Sequence, residues 1–168
     1  MKRNYEIKCR IKNFREIRSV LKPDNSYNYS SENQKDIYYK VKSGRLKLRI
    51  INEKVSDLIF YDRKEKNKKR VSNFIISSTA DFRELDEILR KQFGVLVTVK
   101  KVREIFIKDN IRIHLDSVNK LGKFLEIEIL IEDLKKAKLM MKELTDYLKL
   151  NSTDFINSSY SDLLINKT

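Results

Sequence analysis

The 168-residue sequence predicts a single α+β domain, spanning 1–168 and dominated by antiparallel strands. Three observations carry that prediction. Apolar and charged residues alternate with period two in at least four segments, as in strands whose two faces meet different surroundings. Between these segments lie stretches in which apolar residues recur at helical spacing. Three Gly and one Pro leave no linker that divides the chain, and no repeat at solenoid period is present.

Taken in order, residues 4–11 set Glu6, Lys8 and Arg10 on one strand face and Tyr5, Ile7, Cys9 and Ile11 on the other. Residues 13–22 read as a helix with Asn13 as N-cap, Glu16 three positions on, and an apolar stripe of Phe14, Ile17 and Leu21 that Pro23 stops. Asp24 to Lys35, rich in Asn, Ser and Tyr, reads as a polar loop holding Tyr27 and Tyr29. Alternation returns at 45–50, where Arg45, Lys47 and Arg49 oppose Leu46, Leu48 and Ile50. Segments 58–63, 70–76 and 96–106 read as strands with less regular faces, Lys101 and Arg103 lying opposite Val102. The basic run from Lys64 to Arg70 reads as a hairpin turn.

Residues 81–93 predict a helix with Asp81 and Glu84 in capping-box spacing, a stripe of Phe82, Leu85, Ile88 and Leu89, and Gly94 at its end. Residues 111–116 place Arg112, His114 and Asp116 against Ile111, Ile113 and Leu115. At 125–131, Glu126 and Glu128 alternate with Leu125, Ile127, Ile129 and Ile131. A helix follows over 133–149, with Leu134, Ala137, Met141, Leu144 and Leu148 at helical spacing, and a short one over 160–165.

Composition narrows the chemistry. Lys and Arg number 37 against 24 Asp and Glu, a formal charge of +13. One Cys and one His exclude a disulfide framework, a Cys-rich zinc site and a multi-histidine metal centre. The N-terminus runs directly into alternating charge, and no window approaches the ~20 apolar residues of a membrane span. The expectation is a cytoplasmic protein without membrane attachment. Excess cations point to phosphate, whether on a nucleic acid or on a small molecule.

The polar faces of these strands are almost wholly Arg, Lys, Glu and Asp. Like charges side by side on a sheet repel unless an anion lies between them, so Arg45, Lys47 and Arg49 read as a phosphate-binding rail. Glu6, Asp116, Glu126 and Glu128 share those faces; carboxylates repel a nucleic-acid backbone but ligate Mg²⁺ or Mn²⁺. A site for a polyphosphate with its metal, inside a barrel of charged lumen and apolar exterior, accommodates both. A basic nucleic-acid-binding module is the reading from a different class. The sequence leaves open whether the chain forms a homodimer. Some ten inward cations beside three or four carboxylates make much of the +13 a counter-charge for the polyphosphate.

The segment Asn-Tyr-Glu-Ile-Lys-Cys-Arg at 4–10 resembles the N-terminal Glu-x-Glu-x-Lys signature of the CYTH family, which includes class IV adenylate cyclases and thiamine triphosphatases among the triphosphate tunnel metalloenzymes. Asp36-Ile-Tyr-Tyr, Gly44-Arg-Leu-Lys-Leu-Arg, Leu58 to Arg63 and Val99 to Arg103 resemble the family's successive strands. Arg112 to Glu128 is similar to its Asp-x-Val-x-x-Leu-Gly-x-Phe-x-Glu-x-Glu motif, and Ser159 to Leu164 to its closing motif. The resemblance implies an eight-stranded antiparallel β-barrel tunnel flanked by helices. It implies that Lys8, Arg10, Arg45, Lys47, Arg49, Arg63, Arg70, Lys101, Arg103 and Arg112 grip a nucleoside triphosphate or polyphosphate. It implies that Glu6, Glu126 and Glu128 ligate Mg²⁺ or Mn²⁺, with Asp116 as ligand or orienter.

Two positions depart from the pattern: Asn4 replaces the first signature Glu, and Arg70-Val-Ser-Asn-Phe74 lacks the carboxylates of many triphosphatases. The second departure is closer to class IV adenylate cyclases, implying a phosphorus–oxygen lyase that converts ATP to cyclic AMP and pyrophosphate. Hydrolysis of inorganic tripolyphosphate, or of a nucleoside or thiamine triphosphate, is the alternative, as is another reaction on an adenine nucleotide. Lys8 is a candidate proton acceptor besides binding phosphate, and His114 is a candidate for contact with base or ribose, for proton transfer, or for a structural role. Tyr160 is open to a lid role or to packing.

Overall fold

The computed structural model describes residues 2–64, 70–79 and 81–167. Eight strands, β1 (Lys2–Arg10), β2 (Asn28–Tyr39), β3 (Arg45–Ile51), β4 (Val55–Lys64), β5 (Arg70–Thr79), β6 (Val95–Lys108), β7 (Ile111–Val118) and β8 (Gly122–Leu130), close into a barrel. Its order is β1-β5-β4-β3-β2-β6-β7-β8, antiparallel at every seam. Helices α1 (Arg15–Leu21), α2 (Phe82–Phe93), α3 (Leu134–Tyr147) and α4 (Tyr160–Ile165) flank it, with a 3-10 turn at Ser152–Asp154. No helix is long and apolar enough to cross a membrane.

Period two sends one face of each strand outward to the helices and the other into the lumen. Ile7, Ile113, Leu115, Leu125, Ile127 and Ile129, each at most 1% exposed, form the outer core beneath α1 and α3. A second outer core gathers Ile37, Tyr39, Leu48 and Ile50 beneath Leu89 of α2. A third cluster, with Val99, Val118, Leu121, Phe124 and Tyr160, lies on inward faces and stops one end of the barrel.

One expectation is overturned. Asp24 to Lys35 is not a loop throughout: β2 begins at Asn28 and pairs with β6 from Asn28↔Ile107 to Tyr39↔Val95. The first half of β2 is mostly exposed and offers no alternation, so the ladder to β6 dictates the strand where side-chain propensity does not. Tyr29, placed there on a strand, rests against Phe106 with ring centroids 5.0 Å apart. In the basic run, Lys64 and Arg70 end strands, and residues 65–69 lie outside the described residues.

Helix ends are only partly as the residue types suggest. The Asn13 side chain accepts from Arg15 N at 2.9 Å, although Phe14 occupies the cap position. Asp81 caps α2 without a side-chain bond, so no capping box forms there. The capping box belongs to α4, where Ser159 accepts from Asp162 N and Asp162 accepts from Ser159 N.

Replacing Ile127, fully buried between β8 and the covering helices, should separate core from surface. Ile127→Ala is expected to lose about 2–5 kcal/mol of unfolding free energy. Leu139→Ala, at a side chain 59% exposed on α3, should stay within about 0.5 kcal/mol. Urea denaturation followed by circular dichroism measures both.

Candidate active site

Inside the barrel, charges alternate in a continuous chain. Asp36 of β2, 1% exposed, accepts from Lys47 Nζ at 3.0 Å and from Arg49 Nε at 2.8 Å, both of the neighbouring β3. Lys101 Nζ lies 3.8 Å from Asp36 and 3.8 Å from Asp116. Arg103 of β6 holds Asp116 of β7 in a two-pronged contact of 2.7 and 2.6 Å, and reaches Glu126 of β8 at 2.6 Å. Glu126 also pairs with Lys8 of β1 at 2.8 Å. Tyr160 of α4 donates to Asp116 at 2.7 Å, and its ring lies under Lys8 at 3.9 Å. Three of the links follow from register, since Asp36 faces Arg49, Arg103 faces Asp116, and Lys8 faces Glu126 across their seams, while Arg103 reaches Glu126 past β7.

These contacts fix ionisation. Burial pushes the Asp36 carboxyl up, but Arg49, Lys47 and Lys101 outweigh it and hold the group well below the usual carboxylate range. Burial likewise opposes Lys8 and Arg103 at Glu126, and the two cations prevail. Burial and then the Arg103 charge bring Lys101 down to about 7. The same pair of causes lowers His114, favouring the neutral imidazole. Burial, reinforced by Asp116, drives the Tyr160 hydroxyl far up, so it stays a donor.

Above this floor opens a cavity of about 220 Å³. Glu6, Arg112, His114 and Glu128 lie along one side, and Ile51, Ile59, Phe74, Ile76, Ile105 and Ile107 give it an apolar wall. Ligand atoms of His114, Glu126 and Glu128 fall within 4.8 Å of one another. His114 Nδ1 is buried without a hydrogen bond, 3.6 Å from Glu126 and 3.9 Å from Glu128. A neutral nitrogen lone pair left beside two carboxylates fits a divalent cation, so these three residues could hold one. Asn4 Oδ1 and Gln34 Oε1 are likewise buried and unpartnered, and both residues line the same cavity.

The predicted residues therefore separate by height in the barrel. Lys8, Lys47, Arg49, Lys101 and Arg103 meet at the floor, while Glu6, Arg112, His114 and Glu128 line the opening. Asp116 stands apart from His114, Glu126 and Glu128, its carboxylate taken up by Arg103 and Tyr160. Arg10, on the same face as Lys8, is exposed at the stopped end, where it donates to Leu121 O at 2.8 Å over the Phe124 ring. Arg45 donates to Ser159, Ser161 and Asp162, fastening α4 over that end. The rail of three cations is thus two cations on Asp36 and a third on α4. The side chains of Arg63 and Arg70 lie outside the described residues. The charge pattern missed Asp36, Gln34 and Glu32, whose inward parity was hidden because their strand begins as a polar stretch.

Residues 2–160 match the family described as "CYTH domain". A Methanocaldococcus jannaschii protein named "putative adenylate cyclase" is 31% identical over 87 residues, 49% of this chain and 50% of that protein, so the match spans half of that relative's length. Among solved structures, a Pyrococcus horikoshii protein is similar at TM-score 0.86 and 25% identity, covering 97% of this chain and 99% of that one. A Hippeastrum protein, described as a "putative adenylyl cyclase" with a dominant triphosphatase activity, shares the fold at TM-score 0.76 and 10% identity, covering 100% and 97%.

Lys101 gives the site a pH signature. A polyanion beside it favours its charged form, so the group titrating near 7 in the empty protein shifts upward on binding. At pH 8, with Mn²⁺ already bound to the ligand and holding its terminal phosphate deprotonated, binding of tripolyphosphate should take up a proton, and affinity should fall as pH rises from 7. Calorimetry in two buffers of different ionisation enthalpy reads the uptake. Lys101→Met should abolish it.

Proposed function

This chain belongs to the CYTH-domain family, and we propose that it is a metal-dependent enzyme that cyclises ATP to cyclic AMP and pyrophosphate in the barrel's cavity. The observation that carries this reading is the convergence of Lys47, Arg49 and Arg103 on a cavity that His114 and Glu128 also line, with Lys101 and Glu126 joined to them behind its floor by the chain of ion pairs. Cations that end on three shared carboxylates can exchange those contacts for phosphate oxygens without moving far, and they do so where water is largely excluded. Similarity to the Methanocaldococcus jannaschii protein supports the choice of ATP cyclisation among the reactions open to the fold.

In this reading Lys8, Lys47, Arg49 and Lys101 hold the triphosphate in one extended pose, and Arg103 adds charge as the leaving pyrophosphate gathers its own. The ribose 3′-hydroxyl gives up its proton to solvent water as its oxygen forms the new bond to the α-phosphorus, while the bond from that phosphorus to the β-phosphate oxygen breaks and pyrophosphate leaves. His114, Glu126 and Glu128 would hold a divalent cation, which would supply charge neutralisation at the phosphates and Lewis acidity towards the ribose hydroxyl. The imidazole in this trio favours Mn²⁺ over Mg²⁺, which takes oxygen ligands in preference. Asp116 orients: it fixes the Arg103 fork and receives the Tyr160 hydroxyl, tying the floor to α4.

Incubation of the purified protein with ATP and Mn²⁺ or Mg²⁺ tests the proposal. Cyclic AMP with pyrophosphate is the expected product, faster with Mn²⁺, and Glu128→Gln should reduce it roughly 100-fold or more, at least the loss typical of disturbing a metal's surroundings. ADP with phosphate would replace cyclisation by hydrolysis at the same site. No turnover of any triphosphate would overturn the enzyme reading.

A further inference from the structure

We propose that the outer half of the cavity is a subsite for an amine-bearing heteroaromatic base, with Gln34 as the residue that selects it. This rests on the triphosphate reading and names the organic end of the substrate that the floor receives.

Gln34 is 5% exposed and faces the cavity from β2, between Ile51 of β3 and Lys101 of β6 in register. Its amide has only one sensible orientation. Nε2 donates to Glu32 Oε2 at 2.6 Å, and an ionised carboxylate accepts but does not donate. That bond fixes Oε1 as the other atom, which is buried and has no hydrogen-bond partner. A buried acceptor without a donor costs free energy that a ligand N–H recovers.

The neighbourhood decides which ligand carries that N–H. Ile51, Ile59, Ile76 and Ile105 form an aliphatic wall on the same cavity, and Ile76 is 47% exposed. A bare polyphosphate has no apolar surface to place there, and the Glu32 carboxylate repels it. A planar base buries its faces against isoleucine and turns its edge to Gln34. An exocyclic amine supplies the missing donor, and Glu32 behind the amide strengthens the preference for a donor over a carbonyl. The cavity is therefore divided, with phosphate at the cationic floor and an amino base against the isoleucine side of the mouth, away from Glu6, Arg112 and Glu128.

The test compares non-cleavable, methylene-bridged ATP with the same analogue of purine riboside triphosphate, which carries hydrogen in place of the 6-amine, and with tripolyphosphate, all with Mn²⁺. The expected order by calorimetry on the unaltered protein is ATP analogue tightest, the purine analogue weaker by about tenfold or more, in line with a buried polar group left unpaired, and tripolyphosphate weakest. Gln34→Leu, of similar volume, should bind the two nucleotides alike. Equal affinities of the unaltered protein for the two nucleotides, or for tripolyphosphate and the ATP analogue, would overturn the base subsite and leave the triphosphate reading standing. Binding of none of the three would overturn both.

Discussion

The contact of Arg103 with Asp116 and Glu126 is the interaction on which the interior depends. Removing an ion from water costs several kcal/mol even after relaxation, and a closed barrel removes many at once. Arg103 meets that cost for two carboxylates on two different strands. Its Asp116 arm reaches towards Lys101 and Asp36, and its Glu126 arm reaches Lys8. The chain of charges thereby runs from β1 through β8, β7 and β6 to β2 and β3, so the seams that close the barrel are also the seams across which charge is compensated. Interruption at Arg103 leaves two buried carboxylates exposed to each other.

The stopped end makes this network a floor. Val99, Val118 and Phe124 fill the lumen below it, and α4 seals the opening through three contacts from Arg45. Tyr160 joins the two layers: its ring packs on Phe124 and its hydroxyl reaches Asp116. A lid role for Tyr160 would require an exposed, movable side chain, whereas this one is 4% exposed and bonded to the floor. The family's tunnel is, in this chain, a cavity entered from the side where Ile76 and Arg112 remain open to solvent.

Alternation along the sequence revealed which face a side chain takes, and the inward positions of Lys8, Lys47, Lys101, Arg103 and Glu126 were legible in it, whereas the count of eight strands came from the family resemblance. Height along the barrel was not. Arg10 and Lys8 share parity, yet the two-residue step takes Arg10 out of the lumen, because strand tilt and shear set depth and neither is written in a period-two pattern. Asp36 was hidden for a different reason. The resemblance set it at the head of a strand, but the polar residues before it and Ile-Tyr-Tyr after it show no charge alternation, so its face is fixed only by the pairing of the longer strand with β6. The orphaned Gln34 acceptor needs both facts, together with its bond to Glu32, and so belongs wholly to the three-dimensional arrangement.

The overall charge of +13 points to phosphate, but its distribution shows that most of it lies elsewhere. Among the described residues of the cavity and its floor, Lys8, Lys47, Arg49, Lys101, Arg103 and Arg112 face Glu6, Glu32, Asp36, Asp116, Glu126 and Glu128, six cations against six carboxylates. These described charges balance one another, leaving aside Arg63 and Arg70, whose side chains lie outside the described residues, and exposed surplus sits on residues such as Lys100, Lys123 and Lys135. A balanced site has no net charge with which to draw in a polyanion. It suits one that arrives with its own divalent cation, because phosphate oxygens then meet the floor while the cation meets the carboxylates. The exterior surplus acts at longer range, raising the local concentration of anions around the mouth, an effect that salt screens beyond about 10 Å. Attraction and recognition are thereby assigned to different residues, the exposed lysines outside the barrel and the paired charges within it.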